Sequence, residues 1–299
     1  MSDPGDLLAR FRAVRACSEA LCEPLAIEDH VVQTMADVSP PKWHLAHTTW
    51  FFEAMVLERF VPGYVVVDRA YGFLFNSYYE AVGPRWTRAE RGALSRPTVA
   101  EVRDYRRAVD ERVARFLLEG PAQALAEAAP ILEIGLHHEQ QHQELLATDI
   151  KHIFACNPLR PVYRRREFAT EQAPPCDLSW RAFAGGHHEI GWAGADFCFD
   201  NERPRHGVWL EPFELASRCV TNGEYLRFMA DAGYERPSHW LSDGWDTVRT
   251  HGWQAPLYWL PAGEGRGEWM QMTLHGLQAV DPDEPVCHLS FYEADAYAR

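Results

Sequence analysis

The run His137-His138-Glu139-Gln140-Gln141-His142-Gln143-Glu144 constrains this chain more than any other stretch. Ile131, Leu132, Ile134 and Leu136 precede it and Leu145, Leu146, Ile150 and Ile153 follow it, with a helical rather than an alternating period. On a helix, His138 and His142 lie one turn apart on one face, so a single metal ion could take a nitrogen from each. Ile131, Ile134, Gly135 and Leu145 fall near that face, which predicts that the pair points inward. Buried imidazoles need partners. An isolated HxxxH can meet that need with ordinary hydrogen bonds, so the metal reading depends on a further ligand from elsewhere. Glu139 and Glu144 fall off the ligand face and are expected to orient a ring N–H or to face solvent.

With 299 residues the chain is long enough for about two domains, and at 46% hydrophobic and 24% charged it can bury real cores. Its formal net charge of -14 argues against nucleic acid or an anionic membrane as a main partner. It has no apolar run long enough to span a bilayer, and the acidic start Met1-Ser2-Asp3-Pro4-Gly5-Asp6 lacks the character of a signal peptide. Seven scattered cysteines without CxxC spacing fit reduced thiols, and so a cytoplasmic protein. A monomer is expected.

Leu7, Leu8, Phe11, Val14 and Leu21 predict a first amphipathic helix up to about Cys22. A second starts at Ser39-Pro40-Pro41, with Ser39 as N-cap and Pro40 at the first helical position. On it His44, His47, Phe51, Ala54 and Met55 form one stripe. Between Pro62 and Pro97 the helical period fails. The turn-rich segment Gly83 to Gly92 carries Arg85, Arg88 and Arg91, planar donor forks suited to a carboxylate. Thr98-Val99-Ala100-Glu101 is a capping box opening a third helix, and the histidine-bearing helix, from about Ile131 to Phe154, is the fourth. Four such helices read as a bundle, where metal sites are built from facing helices. His47 with His138 and His142 would supply three nitrogens and leave coordination positions open. Ligand type alone leaves zinc, iron, copper and nickel all possible.

After about residue 160 the grammar changes. Residues 161–178, with three successive arginines and Pro174-Pro175, read as a linker. Residues 179–299 carry short aromatic strand pieces separated by glycines, a capped helix at Thr221 to Met229, an irregular Trp-rich stretch from Trp240 to Trp269, and a strand running into a helix from Pro285.

These segments resemble the hercynine-dependent sulfoxide synthases of ergothioneine biosynthesis, the EgtB family. The resemblance is carried by Ser39 to Glu53, by Tyr71 to Arg85, by His138 to Leu145 with Thr148 to His152, by Asp200 to His206 and by Val220 to Tyr225. It implies an α+β protein. A DinB-like four-helix bundle over residues 1–160 would be followed by a partial domain like the formylglycine-generating enzyme, with a C-type-lectin-like fold, over 179–299. It implies Fe(2+) on His47, His138 and His142, Gln141 near bound hercynine, and Arg85 and Arg88 on the thiol's carboxylates, with Arg91 in reserve. The implied partners are hercynine, O2 and a thiol (γ-glutamylcysteine, glutathione or cysteine). The implied reaction joins the thiol to the imidazole C2 and oxidises its sulfur.

Family members continue beyond the equivalent of Arg299, so the expected catalytic tyrosine lies outside this sequence. Three alternatives accompany this reading: a selenoneine-type relative using a selenosugar, a non-catalytic metal-binding relic, and a zinc-dependent DinB-like thiol transferase. Formylglycine generation is disfavoured, because it needs no histidine-bearing bundle and the copper-binding cysteine pair of such enzymes is not recognisable.

Overall fold

The computed structural model describes residues 4–77, 83–165, 177–263 and 268–299. The chain forms two compact units, residues 1–165 and 166–299. Tyr78 and Tyr79, and the expected linker's Arg166, Pro174 and Pro175, lie outside the described residues.

The first unit is built on α1 (Pro4–Cys22), α2 (Pro41–Phe52), α5 (Val99–Glu119) and α6 (Ala122–Cys156). α1 and α2 each pack against both α5 and α6, which makes a four-helix bundle. Every residue of α2 is buried, its polar residues Lys42, His44, His47, Thr48 and Thr49 included. It continues through a π-helical turn, Glu53–Leu57, into the short α3 (Glu58–Phe60). Glu53 in that turn is buried and accepts from Tyr105 Oη at 2.5 Å, Tyr64 Oη at 2.7 Å and Val67 N at 2.9 Å. The Thr98–Glu101 capping box opens α5 as its spacing predicts.

Four local expectations are corrected. α2 begins one residue later than predicted, with Pro40 as cap and Pro41 first in the helix. Ser39 is released from capping: its N–H donates to Asp149 at 2.9 Å and its hydroxyl accepts from Arg91 at 2.8 Å. α6 starts at Ala122, not Ile131, and carries Pro130 in its interior. An interior proline costs about 3 kcal/mol, but burial of Ala128 and Leu132 on either side of it holds the helix through that point. Ile134 and Leu145, expected inside, are exposed. The buried face is instead Leu132, Gly135, Leu136, Glu139, Leu146, Asp149, Ile150 and Ile153. Between Pro62 and Pro97, where the helical period fails, stand α4 (Arg69–Phe75), capped by Asp68, and a 3-10 turn Arg88–Ala93. Buried Lys42 fastens the end of this segment, donating to the carbonyls of Leu94 at 2.7 Å and Pro97 at 2.8 Å.

The second unit pairs β1 (Trp180–Phe183) with β4 (Phe213–Ala216), and β2 (Gly186–Ile190) with β3 (His206–Leu210), all antiparallel. A three-stranded sheet runs β5 (Trp259–Pro261), β6 (Trp269–Thr273), β7 (Gly276–Ala279). α7 (Asn222–Ala230) carries the Thr221–Glu224 capping box that the sequence predicts. The stretch expected to be irregular contains α8 (Ser242–His251), which ends on Gly252 in the left-handed conformation, φ 65°. The strand expected before α9 (Phe291–Ala298) is reduced to a single bridge between Thr221 and Pro285. Tyr225, Tyr234, Trp240, Val248 and Ala296 form this unit's core. Inside it Tyr234 Oη donates to Glu293 at 2.5 Å. No helix among the described residues is long and apolar enough to cross a membrane.

Candidate metal centre

Gly135 decides how closely α6 approaches α2. A Cβ there would stand 2.6 Å from the Phe52 ring and 2.8 Å from the Phe51 ring. The missing side chain lets the two helices meet, and one and two turns further on His138 and His142 face His47. One ring nitrogen from each of the three lies within 4.8 Å of the others. His47 Nε2 and His138 Nε2 are 3.2 Å apart.

The site is built to keep these rings neutral. Burial pushes the pKa values of His47 and His142 well below the ordinary range and that of His138 down to about 4. Around His47 the rings are stacked. Trp43 lies parallel to it at 4.6 Å between centroids and Trp50 covers it at 5.8 Å. The Arg91 guanidinium lies 3.3 Å from the Trp43 ring centre. His47 Nδ1 donates to the Phe75 carbonyl at 2.5 Å, which leaves Nε2 as the lone-pair nitrogen facing the cluster. His142 Nδ1 meets His44 Nδ1 at 2.8 Å, and His44 Nε2 meets Asp149 Oδ2 at 2.9 Å.

These residues fit a divalent first-row ion. Two nitrogens each about 2.1 Å from one ion, at roughly 90–110°, stand about 3.0–3.4 Å apart. The His47–His138 separation matches that range, and two imidazole lone pairs so close repel unless a proton or cation lies between them.

Residues 10–146 match the DinB superfamily, and residues 179–299 match the sulfatase-modifying factor enzyme 1-like domain. The hercynine oxygenases of Mycolicibacterium smegmatis and Mycobacterium tuberculosis are each 37% identical over 99 residues, 33% of this chain and 22% of the relative. That of Mycolicibacterium thermoresistibile is 34% identical over 109 residues, 36% of this chain and 23% of the relative. In its two domain types and in these matched stretches the chain is similar to the hercynine oxygenases of the EgtB family, and the match spans less than a quarter of each relative's length.

A pocket of about 430 Å³ opens beside the three histidines, lined also by Ser39, Trp43, His44, Ser77, Arg88, Arg91, Gln141 and Asp149. Gln141 is exposed and stands at its rim. Of the arginines, Arg88 and Arg91 line the pocket. Arg85 instead donates to the Ser77 carbonyl, and it is not among the lining residues. Arg91 is buried and also donates to Ser77 Oγ at 3.2 Å.

Sequence reasoning placed His44 on the stripe with His47 but gave it no role, and it passed over Asp149. The signal was present. Asp149 lies two turns beyond His142 and His44 one turn before His47, so all four share the faces that meet.

Glu139, expected to orient a ring or face solvent, does neither. It is fully buried and accepts from Arg106 at 2.5 Å, Arg15 at 2.8 Å and Ser18 at 2.6 Å. Burial alone would raise its pKa, but the charges of Arg106 and Arg15 and the hydrogen bonds outweigh that and hold it at about 2. Arg15 also reaches Asp110 at 2.7 Å and Thr49 at 2.9 Å. Glu139 thus ties α6 to α1 and α5, and Arg15 extends the link to α2, next to a candidate ligand.

Proposed function

We propose that the three histidines hold Fe(2+) and that the protein joins a thiol to C2 of hercynine in ergothioneine biosynthesis, oxidising the sulfur to a sulfoxide. The observation that carries this reading is the convergence of three neutral imidazoles on one point in a pocket walled by two guanidinium groups. The name of the relatives, hercynine oxygenase, supports the substrate.

His47, His138 and His142 would hold the ion and leave positions open on it. The bound metal supplies the redox chemistry with O2. The chain's own residues do the rest. Arg88 and Arg91 receive a carboxylate of the thiol substrate, Arg91 already fixed by Ser39, Ser77 and the face of Trp43. Gln141, which lines the pocket, would hydrogen-bond the imidazole substrate. The Trp43–His47–Trp50 stack excludes water from one side of the ligand set and fixes its orientation.

The test is anaerobic iron(II) titration of the 299-residue chain and of H138A, followed by O2 uptake with hercynine and γ-glutamylcysteine. Stoichiometric binding lost in H138A, with sulfoxide formed by the unsubstituted protein, is the expected result. Full iron binding by H138A overturns the ligand assignment, and an unsubstituted protein that binds iron but consumes no O2 with these substrates overturns the reaction.

A further inference from the structure

We infer that His44 and Asp149 are positioning residues for the third ligand, a serial relay that fixes which nitrogen of His142 faces the metal. The inference rests on the three-histidine metal reading. It begins from the distances: Asp149 Oδ2 to His44 Nε2 is 2.9 Å, and His44 Nδ1 to His142 Nδ1 is 2.8 Å. Each link has room for one proton. For His142 to offer Nε2 to an ion, its Nδ1 must carry the proton and donate it towards His44. His44 Nδ1 must then be the acceptor, so its own proton sits on Nε2, and only an acceptor can lie beyond that atom. Asp149 is that acceptor.

The carboxylate cannot drift from this duty. The Ser39 N–H donates to the same Oδ2 at 2.9 Å, at the start of α2. Both relay residues are buried, so water does not compete for these bonds. The three ligands are treated differently by the fold. His47 is held by a backbone carbonyl, His142 by a relay ending in a carboxylate, and His138 Nδ1 is buried with no hydrogen-bond partner among the described residues. A carboxylate at the far end of an imidazole chain also makes the ligating nitrogen more basic. Ser39 adds a consequence, because its hydroxyl accepts from Arg91. One residue therefore anchors both the relay and the guanidinium that faces the pocket.

Cobalt(II) and iron(II) binding to the full chain, read by chelator competition and by the cobalt visible spectrum, tests the relay. In H44F the ring shape stays but the acceptor is lost, and affinity is expected to fall 10–100-fold with an altered cobalt spectrum. In H44N the amide Oδ1 stands where the imidazole Nδ1 stood, and most of the lost affinity is expected to return. D149A is expected to match H44F, and the double variant to be no weaker than either single one, as members of one serial chain require.

Wild-type affinity and spectrum in H44F overturn the relay. So does H44N as weak as H44F, which would reduce His44 to packing, and so do additive losses in the double variant. Far-UV circular dichroism of the metal-free variants verifies the fold, and D149A carries the same expectation if Phe is not accommodated at position 44. Failure of the wild-type chain to bind either metal is a separate result. It overturns the metal reading, and this inference with it.

Discussion

At the scale of single residues, the bundle concentrates its polar groups on a few buried atoms, and each has a measurable role. Glu139 is the clearest case. Its carboxylate pairs with two buried guanidinium groups, so removing it leaves, among the described residues, Arg15 with Asp110 alone and Arg106 with only the exposed Glu19 at 3.4 Å. E139A is expected to destabilise the first unit by about 3–5 kcal/mol, the usual cost of breaking a buried pair, as measured by urea denaturation. The two pocket-side arginines separate from Arg85 in the same way. R88A is expected to raise the KM for the thiol about tenfold or more, the weight of one charge-assisted hydrogen bond, while leaving the KM for hercynine unchanged. R85A, which does not line the pocket and whose guanidinium donates to the Ser77 carbonyl, is expected to leave both unchanged. Steady-state kinetics of the two variants side by side checks the assignment.

At the scale of elements, two features decide whether the helices present these residues correctly. Replacing Gly135 with Ala improves intrinsic helix propensity by about 1 kcal/mol. It also places a methyl group inside contact distance of two buried aromatic rings, and overpacking costs about 1–3 kcal/mol. The second effect is expected to win. G135A should lose stability and bind metal more weakly, because α6 must retreat from α2; equal stability and affinity would mean that the rings give way freely.

In the second unit, Glu224 receives both guanidinium nitrogens of Arg218, at 2.8 and 2.9 Å, and the Thr221 N–H at 2.9 Å. The Arg218 and Thr221 hydrogen bonds hold its pKa down to about 2 from the ordinary 4.5. A depressed carboxylate contributes stability that is present above its unfolded value and lost as pH falls through the folded one. E224A should therefore unfold more easily at pH 7, by about 1 kcal/mol as for other caps. The difference from the wild type should shrink as pH falls from 4.5 towards 2, as followed by thermal melts at several pH values.

At the scale of the whole molecule, the candidate metal centre and its pocket lie wholly within residues 1–165, which form a compact unit with their own buried core. A fragment of those residues is expected to fold cooperatively and to bind cobalt(II) with the affinity of the full chain; a large loss would show that the second unit completes the site. The sequence by itself determined the bundle, the α5 and α7 capping boxes, and the face carrying His138 and His142, because helical periodicity and caps are local and survive in any tertiary setting. The family resemblance, carried by short motifs, added the order of the two domain types. Only the tertiary structure decided which charges are buried, and that is where the sequence reading failed for Glu139, Ile134 and Leu145. Periodicity says that a helix has an inner face. The angle at which that face meets its neighbours depends on close approaches such as Gly135 against Phe51 and Phe52. The same holds for His44, Asp149 and Arg91. Local spacing puts His44 and Asp149 on the right helix faces, but these roles exist only because residues 52 to 110 positions apart in the chain meet within hydrogen-bond distance, and spacing does not encode that meeting.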